Sequence, residues 1–233
     1  MRKSSRAGRG EQSLQMLIDR IKAIMLSPQT EWPVVATDPR ETRLLLARYV
    51  AVLALIPAIC GFIGRSLIGG FTPIDLGLGA AIVGYVLAFI SVGVIAKAIG
   101  ALAPTFEADN TTKNALKLTV YSYTPAWLAG AFLLVPGLSF LSMLGLYGFY
   151  LLWLGLPPLM RAPRDKAFPY ALVVAFIAVI LAVITAFLPY AIMRAGRYYV
   201  AHRPAPLNDV LGTANQGASN IWRQAGGKSA MVN

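Results

Sequence analysis

Residues 118–160 read LTVYSYTPAWLAGAFLLVPGLSFLSMLGLYGFYLLWLGLPPLM, 43 positions without a charged side chain. As one helix this stretch would be about 65 Å long at 1.5 Å per residue, roughly twice the hydrocarbon thickness of a bilayer. It must therefore turn once, and Pro136-Gly137 near its middle supplies the turn. Two spans result, 118–135 and 138–160, joined as a tight hairpin.

Outward from this stretch, further charge-free runs cover 16 residues (49–64), 21 (76–96) and 27 (167–193). A crossing helix needs about 20 apolar residues. Hydrophobic residues make up 57 % of the 233 positions and charged ones only 13 %, about half the charged share of a soluble domain. The expected fold is all-α: a polytopic integral membrane protein with five transmembrane helices, at about 44–68, 76–96, 118–135, 138–160 and 168–193. Arg48 and Arg65 fall inside the first span. They are 17 residues, or about 25 Å, apart along a helix, so each can snorkel to its own interface. Pro57 between them is expected to kink the helix. In the second span Ala80, Gly84 and Ala88 recur at four-residue steps and make a face for close helix packing.

Before the spans, residues 1–12 form a basic arm and 13–38 an amphipathic segment. Leu14, Leu17, Ile18, Ile21 and Met25 make an apolar stripe at helical spacing. Such a helix either lies in the headgroup plane as an interfacial helix or packs on the protein's own helices. Ser27-Pro28 breaks it, Trp32 suits an anchor at the membrane–water boundary, and Asp38-Pro39 can start the next helix. Residues 194–233, rich in Gly, Ala, Asn and Ser, are expected to be a disordered polar tail.

The net charge of +11 sits mostly beside apolar runs. Anionic lipid headgroups, and not nucleic acid, are the partner this arrangement implies. Nine Lys and Arg precede or include Arg48, none lies in the first loop, three in the second, none in the hairpin and three in the fourth. Because cations favour the cytoplasmic side, the N-terminus is expected there. Five crossings then place the tail outside, although it carries five cations.

Catalytic chemistry needs a nucleophile with a base, or clustered metal ligands. The sole histidine, His202, lies in the tail, the sole cysteine, Cys60, lies in the first apolar run, and no acidic residue falls within a span. No enzyme, metal or cofactor is expected. Two clusters remain as candidate lipid or partner contacts. Tyr121, Ser122, Thr124 and Pro125 lie in the third span; their hydroxyls either satisfy the carbonyl that the proline frees or line a groove for a headgroup or a partner's backbone. Arg161, Arg164 and Lys166 form a basic loop for lipid phosphates, which Glu107 and Asp109 could contact. The function expected is that of a non-enzymatic protein organising membrane through lipid and protein contacts. The alternative is a transporter or lipid-moving protein using a polar groove at the third span.

Three stretches resemble the Yip1 family in its bacterial form. Met25-Leu26-Ser27-Pro28 with Trp32 is similar to an "LxSPxxEW" entry segment. Ala115 to Trp127 is similar to "ALKLxxYSxTPxW", and Tyr150 to Ala167 to "YLLYLGLPxLMKxPxDKA". The resemblance implies a five-span domain with a cytoplasmic N-terminus in the bacterial inner membrane, and no catalytic residues. Eukaryotic members of that family take part in vesicle traffic and contact prenylated small GTPases; other membrane proteins are thus conceivable partners. Glu107-Ala108 departs from the Gly-Gly that bacterial relatives tend to carry.

Overall fold

The computed structural model describes residues 15, 18–37, 43–201 and 211–221. The basic arm, Leu14, Leu17, Asp38-Pro39 and His202 lie outside the described residues. Two compact units divide at Met193 and Arg194. In the second, residues 211–221 form an exposed helix, where the sequence suggested a tail without regular structure.

Every regular element among the described residues of the first unit is helical. Residues 18–26 form α1. Ser27 interrupts it, and α2, Pro28–Thr37, starts on the proline whose fixed φ suits a first helical position. Helix α3, Arg43–Phe62, runs on into a π-helical turn, Ile63–Ile68. It continues through Pro57 without a break in the helix. The departure from α geometry comes instead at Gly64, where an added Cβ would lie 1.9 Å from the Leu133 carbonyl oxygen. Helix α4, Ile74–Leu102, ends in a 3₁₀ turn, Ala103–Phe106. It outruns the expected span because Lys97 is exposed on a helix that simply continues.

The third expected span is not one helix. It consists of α5, Thr112–Ser122, then α6, Thr124–Ala129, then a 3₁₀ segment, Gly130–Leu134. Pro125 has no N–H to continue the ladder, and the regular helix is interrupted at Tyr123. Val135 is extended, and Pro136–Leu146 then returns as a 3₁₀ helix, so the hairpin falls where Pro136-Gly137 placed it. Helix α7, Tyr147–Met160, completes the return. Helix α8, Arg164–Ala201, carries Pro189 in its interior, so that proline does not end it.

Among the described residues four helical stretches are long and apolar enough to cross a membrane: Leu46–Ile68, Ile74–Phe106, Pro136–Met160 and Arg164–Tyr198. Their outward faces carry large exposed side chains such as Val52, Ile59, Ile82, Ile90, Phe176 and Phe187. An apolar surface of this extent is tolerable in lipid and not in water. The core lies where α2, α3, α5 and α7 meet, around Trp32, Tyr49, Leu118, Leu151 and Leu156.

Helix α1 packs on this core. Ile24 is fully buried, Ile21 and Met25 rest against the core, and only Ile18 of the described stripe stays exposed. Of the two roles open to the segment, its described part takes protein packing. An ion pair from Arg20 to Glu31 ties α1 to α2.

Candidate functional site

The three stretches that carry the family resemblance converge in space. Trp32 on α2, expected at the membrane–water boundary, is only 1 % exposed. Its ring meets Tyr121 of α5 edge-on, with centroids 6.4 Å apart. Gly155 of α7 makes the room: an added Cβ there would sit 2.8 Å from the indole and 2.5 Å from Leu118 Cδ1. Trp32 is thus a core residue of the helix bundle. Its Nε1 has no hydrogen-bond partner among the described residues.

The hydroxyl cluster of the third segment is packed as well. Thr124 Oγ1 and the Tyr49 hydroxyl are hydrogen-bonded at 2.8 Å in the interior, and the Tyr49 ring stands edge-on to Tyr121 at 5.2 Å. Thr124 is 0 % exposed, and Pro125 is buried beside it. Ser122 Oγ is buried and has no hydrogen-bond partner among the described residues, so its hydroxyl satisfies no freed carbonyl there. Gly148 of α7 closes on the neighbouring Ser122 carbonyl, with a built Cβ 2.4 Å from that oxygen. Tyr121, Ser122 and Thr124 therefore join three helices, and they line neither the cleft beside Arg164 nor the cavity between α3, α4 and α8.

Lys117 is a residue that charge counting misplaced. It falls inside α5, is 1 % exposed, and donates from Nζ to the Val35 carbonyl at the C-terminal end of α2 at 2.6 Å. A cation at a helix C-terminus complements the macrodipole. Its four-residue offset from Tyr121 was the available signal, because both then lie on one face of α5.

The basic loop meets the acidic one. Lys166 Nζ lies 2.6 Å from Glu107 Oε1, and Arg161 Nη1 lies 3.2 Å from Asp109 Oδ2. The Asp109 N–H also donates to the Met160 carbonyl at 2.7 Å. Glu107 and Arg161 are the two non-glycine residues with positive φ among those described, at 55° and 50°. At Glu107 that conformation is one a glycine adopts without steric cost. Two of the three loop cations are thus committed to ion pairs. Arg164 pairs with no carboxylate among the described residues. It lines a cleft of about 500 Å³ with Gln29, Trp32, Trp153 and Pro157.

Buried aromatic and hydroxyl groups, ion-paired loops and lipid-facing helices define a helical membrane protein whose polar groups mostly hold its own elements together. The Yip1 domain model matches residues 22–187. The chain belongs to the Yip1 domain family. It is 25 % identical over 156 residues to the Inner membrane protein YohC of Escherichia coli K12, covering 62 % of this chain and 80 % of that protein. The same protein from Escherichia coli O6:H1 matches to the same extent. No solved structure matches the chain.

Proposed function

We propose that this protein is a non-enzymatic component of the bacterial inner membrane that organises membrane through lipid and protein contacts. The observation that carries the proposal is the Arg164 cleft. Arg164 lies beside two indoles where α2, α7 and α8 begin or end, and a cation with no carboxylate partner among the described residues, flanked by aromatic rings, suits an anionic headgroup. The name of the Escherichia coli relatives supports the inner membrane as its location.

Five crossings with a cytoplasmic N-terminus belong to the same proposal. The bond from Asp109 to Met160 brings the segment after α4 and the end of α7 together, which supports a shared edge of the bilayer for both. Pro136–Met160 is about 43 Å long at 3₁₀ and α-helical rises, so Pro136 must sit at the opposite edge. Residues 112–134 then have to cross as the broken third segment. Close approach of Leu133 to Gly64, at the far end of α3, agrees with that path.

The test is purification of the full chain from vesicles of mixed phosphatidylglycerol and phosphatidylcholine, with the retained lipid quantified. Anionic lipid should be enriched over the bulk ratio, and Arg164→Glu should reduce the enrichment. An unchanged ratio overturns the headgroup contact, and robust turnover of any substrate overturns the non-enzymatic assignment.

A further inference from the structure

A second cavity lies on the other side of the bundle, between α3, α4 and α8, with α6 forming part of its wall. Its volume is about 340 Å³, at the low end of the roughly 300–1,000 Å³ found for small-ligand sites. The Ala80, Gly84 and Ala88 face borders it, so the close-packing surface of α4 stops short of full closure. Ala58 of α3 and Ala182 and Ala186 of α8 add small side chains to the wall, and Phe62, Trp127 and Leu133 close it with larger apolar surface.

The Ser91 and Thr185 hydroxyls in this wall are hydrogen-bonded to each other at 3.2 Å, and one charged side chain breaks it. Arg65 borders the cavity half-buried, and its Nη1 donates to the Tyr190 hydroxyl at 2.7 Å. The guanidinium also faces the Tyr190 ring, 5.4 Å from its centroid. Among the described residues no carboxylate pairs with it. A guanidinium offers five donors in a planar fork suited to phosphate. Here the described residues supply a neutral hydroxyl and a ring, so the charge is oriented but not neutralised.

The depth of the two features matches one kind of molecule. Arg65 is about 25 Å along α3 from Arg48, which places it at the edge of the hydrocarbon. The apolar walls extend from there alongside the span. We propose that this cavity holds one acyl chain of an anionic phospholipid, with Arg65 binding the phosphate and Tyr190 fixing the guanidinium. A choline headgroup would bring its own cation towards Arg65, which disfavours the zwitterionic lipid. The site is distinct from the Arg164 cleft and stands on its own observation.

The experiment uses the full chain in vesicles containing phosphatidylglycerol or phosphatidylcholine with a photoreactive diazirine in the acyl chain, and maps adducts by mass spectrometry. In the wild type, adducts on α4 and α8 should concentrate on cavity-lining positions over Ile82 and Val86, which face outward. Phosphatidylglycerol should compete about fivefold better than phosphatidylcholine, the weight of one cation near a charged surface. Arg65→Gln should abolish that preference and leave Arg164-dependent lipid enrichment intact. Gly84→Leu should remove the cavity adducts. Ala182→Leu, at an exposed position, should do the same if the first variant fails to fold. Equal competition by the two lipids, or cavity adducts that survive filling, overturns the proposal. Either result leaves the Arg164 headgroup contact standing, because that is read from a separate variant.

Discussion

Trp32 and Gly155 act as a lock and its recess. Filling the recess with Gly155→Val brings a Cβ within 2.8 Å of the indole, and overpacking of this kind costs about 1–3 kcal/mol. Emptying it with Trp32→Ala costs about 3–5 kcal/mol through the lost burial and the cavity left behind. Both variants should therefore lower the thermal unfolding midpoint in detergent, Trp32→Ala the more. An interface anchor would give the opposite pattern, with unfolding unchanged and only membrane depth altered. The sequence alone favoured the anchor because an indole beside a predicted span is usually amphipathic in use. What overrides that preference is the absence of a side chain at Gly155, a tertiary fact that no local spacing encodes. The same limit hid Lys117, which looked like a loop cation until α5 enclosed it.

At the level of elements, helix ends were harder to read than helix centres. Charge-free runs located α3, α4, α7 and α8, because any charge facing lipid is costly and so confines the spans. Their ends extended further, since Lys97 and Arg194 are exposed on helices that continue past them. The contact between the basic and acidic loops was legible from charge complementarity alone. Its backbone cost was not. Glu107 holds Lys166 from a left-handed conformation that costs a non-glycine residue about 1 kcal/mol, while an exposed ion pair returns about 0.2–1 kcal/mol. Glu107→Gly loses the pair but relieves the backbone, whereas Lys166→Gln only loses the pair. Glu107→Gly should therefore lower the unfolding midpoint less than Lys166→Gln, or raise it. A larger loss in Glu107→Gly would show that the left-handed residue carries no strain. High salt should shrink the effect of Lys166→Gln and leave the backbone relief in place.

For the whole molecule, charge and connectivity constrain the path independently. Of the 21 cations, 15 lie in the N-terminal region and the second and fourth loops, yet Lys117 among them is buried in α5 and cannot act as a loop charge in the folded protein. The remaining weight for that second side comes from the ion pairs, which force the 107–109 and 161–166 loops to share it. Single cysteines introduced in a Cys60→Ser background test the path directly with a membrane-impermeant maleimide. Ala108→Cys and Pro163→Cys should label from the cytoplasmic face, and Phe71→Cys and Gly137→Cys from the opposite one. Gly137 is the discriminating position. If the broken segment at 112–134 crosses, Gly137 labels with Phe71; if it merely dips and returns, Gly137 labels with Ala108. A reporter at Asn233 should then lie outside, despite the five cations of the tail. Loop charges near early spans dominate orientation, and on the proposed path the ion-paired loops keep the ends of α4 and α7 on one side. A cytoplasmic Asn233 together with an outward Gly137 would require α8 not to cross, contrary to its 35-residue apolar stretch at Arg164–Tyr198.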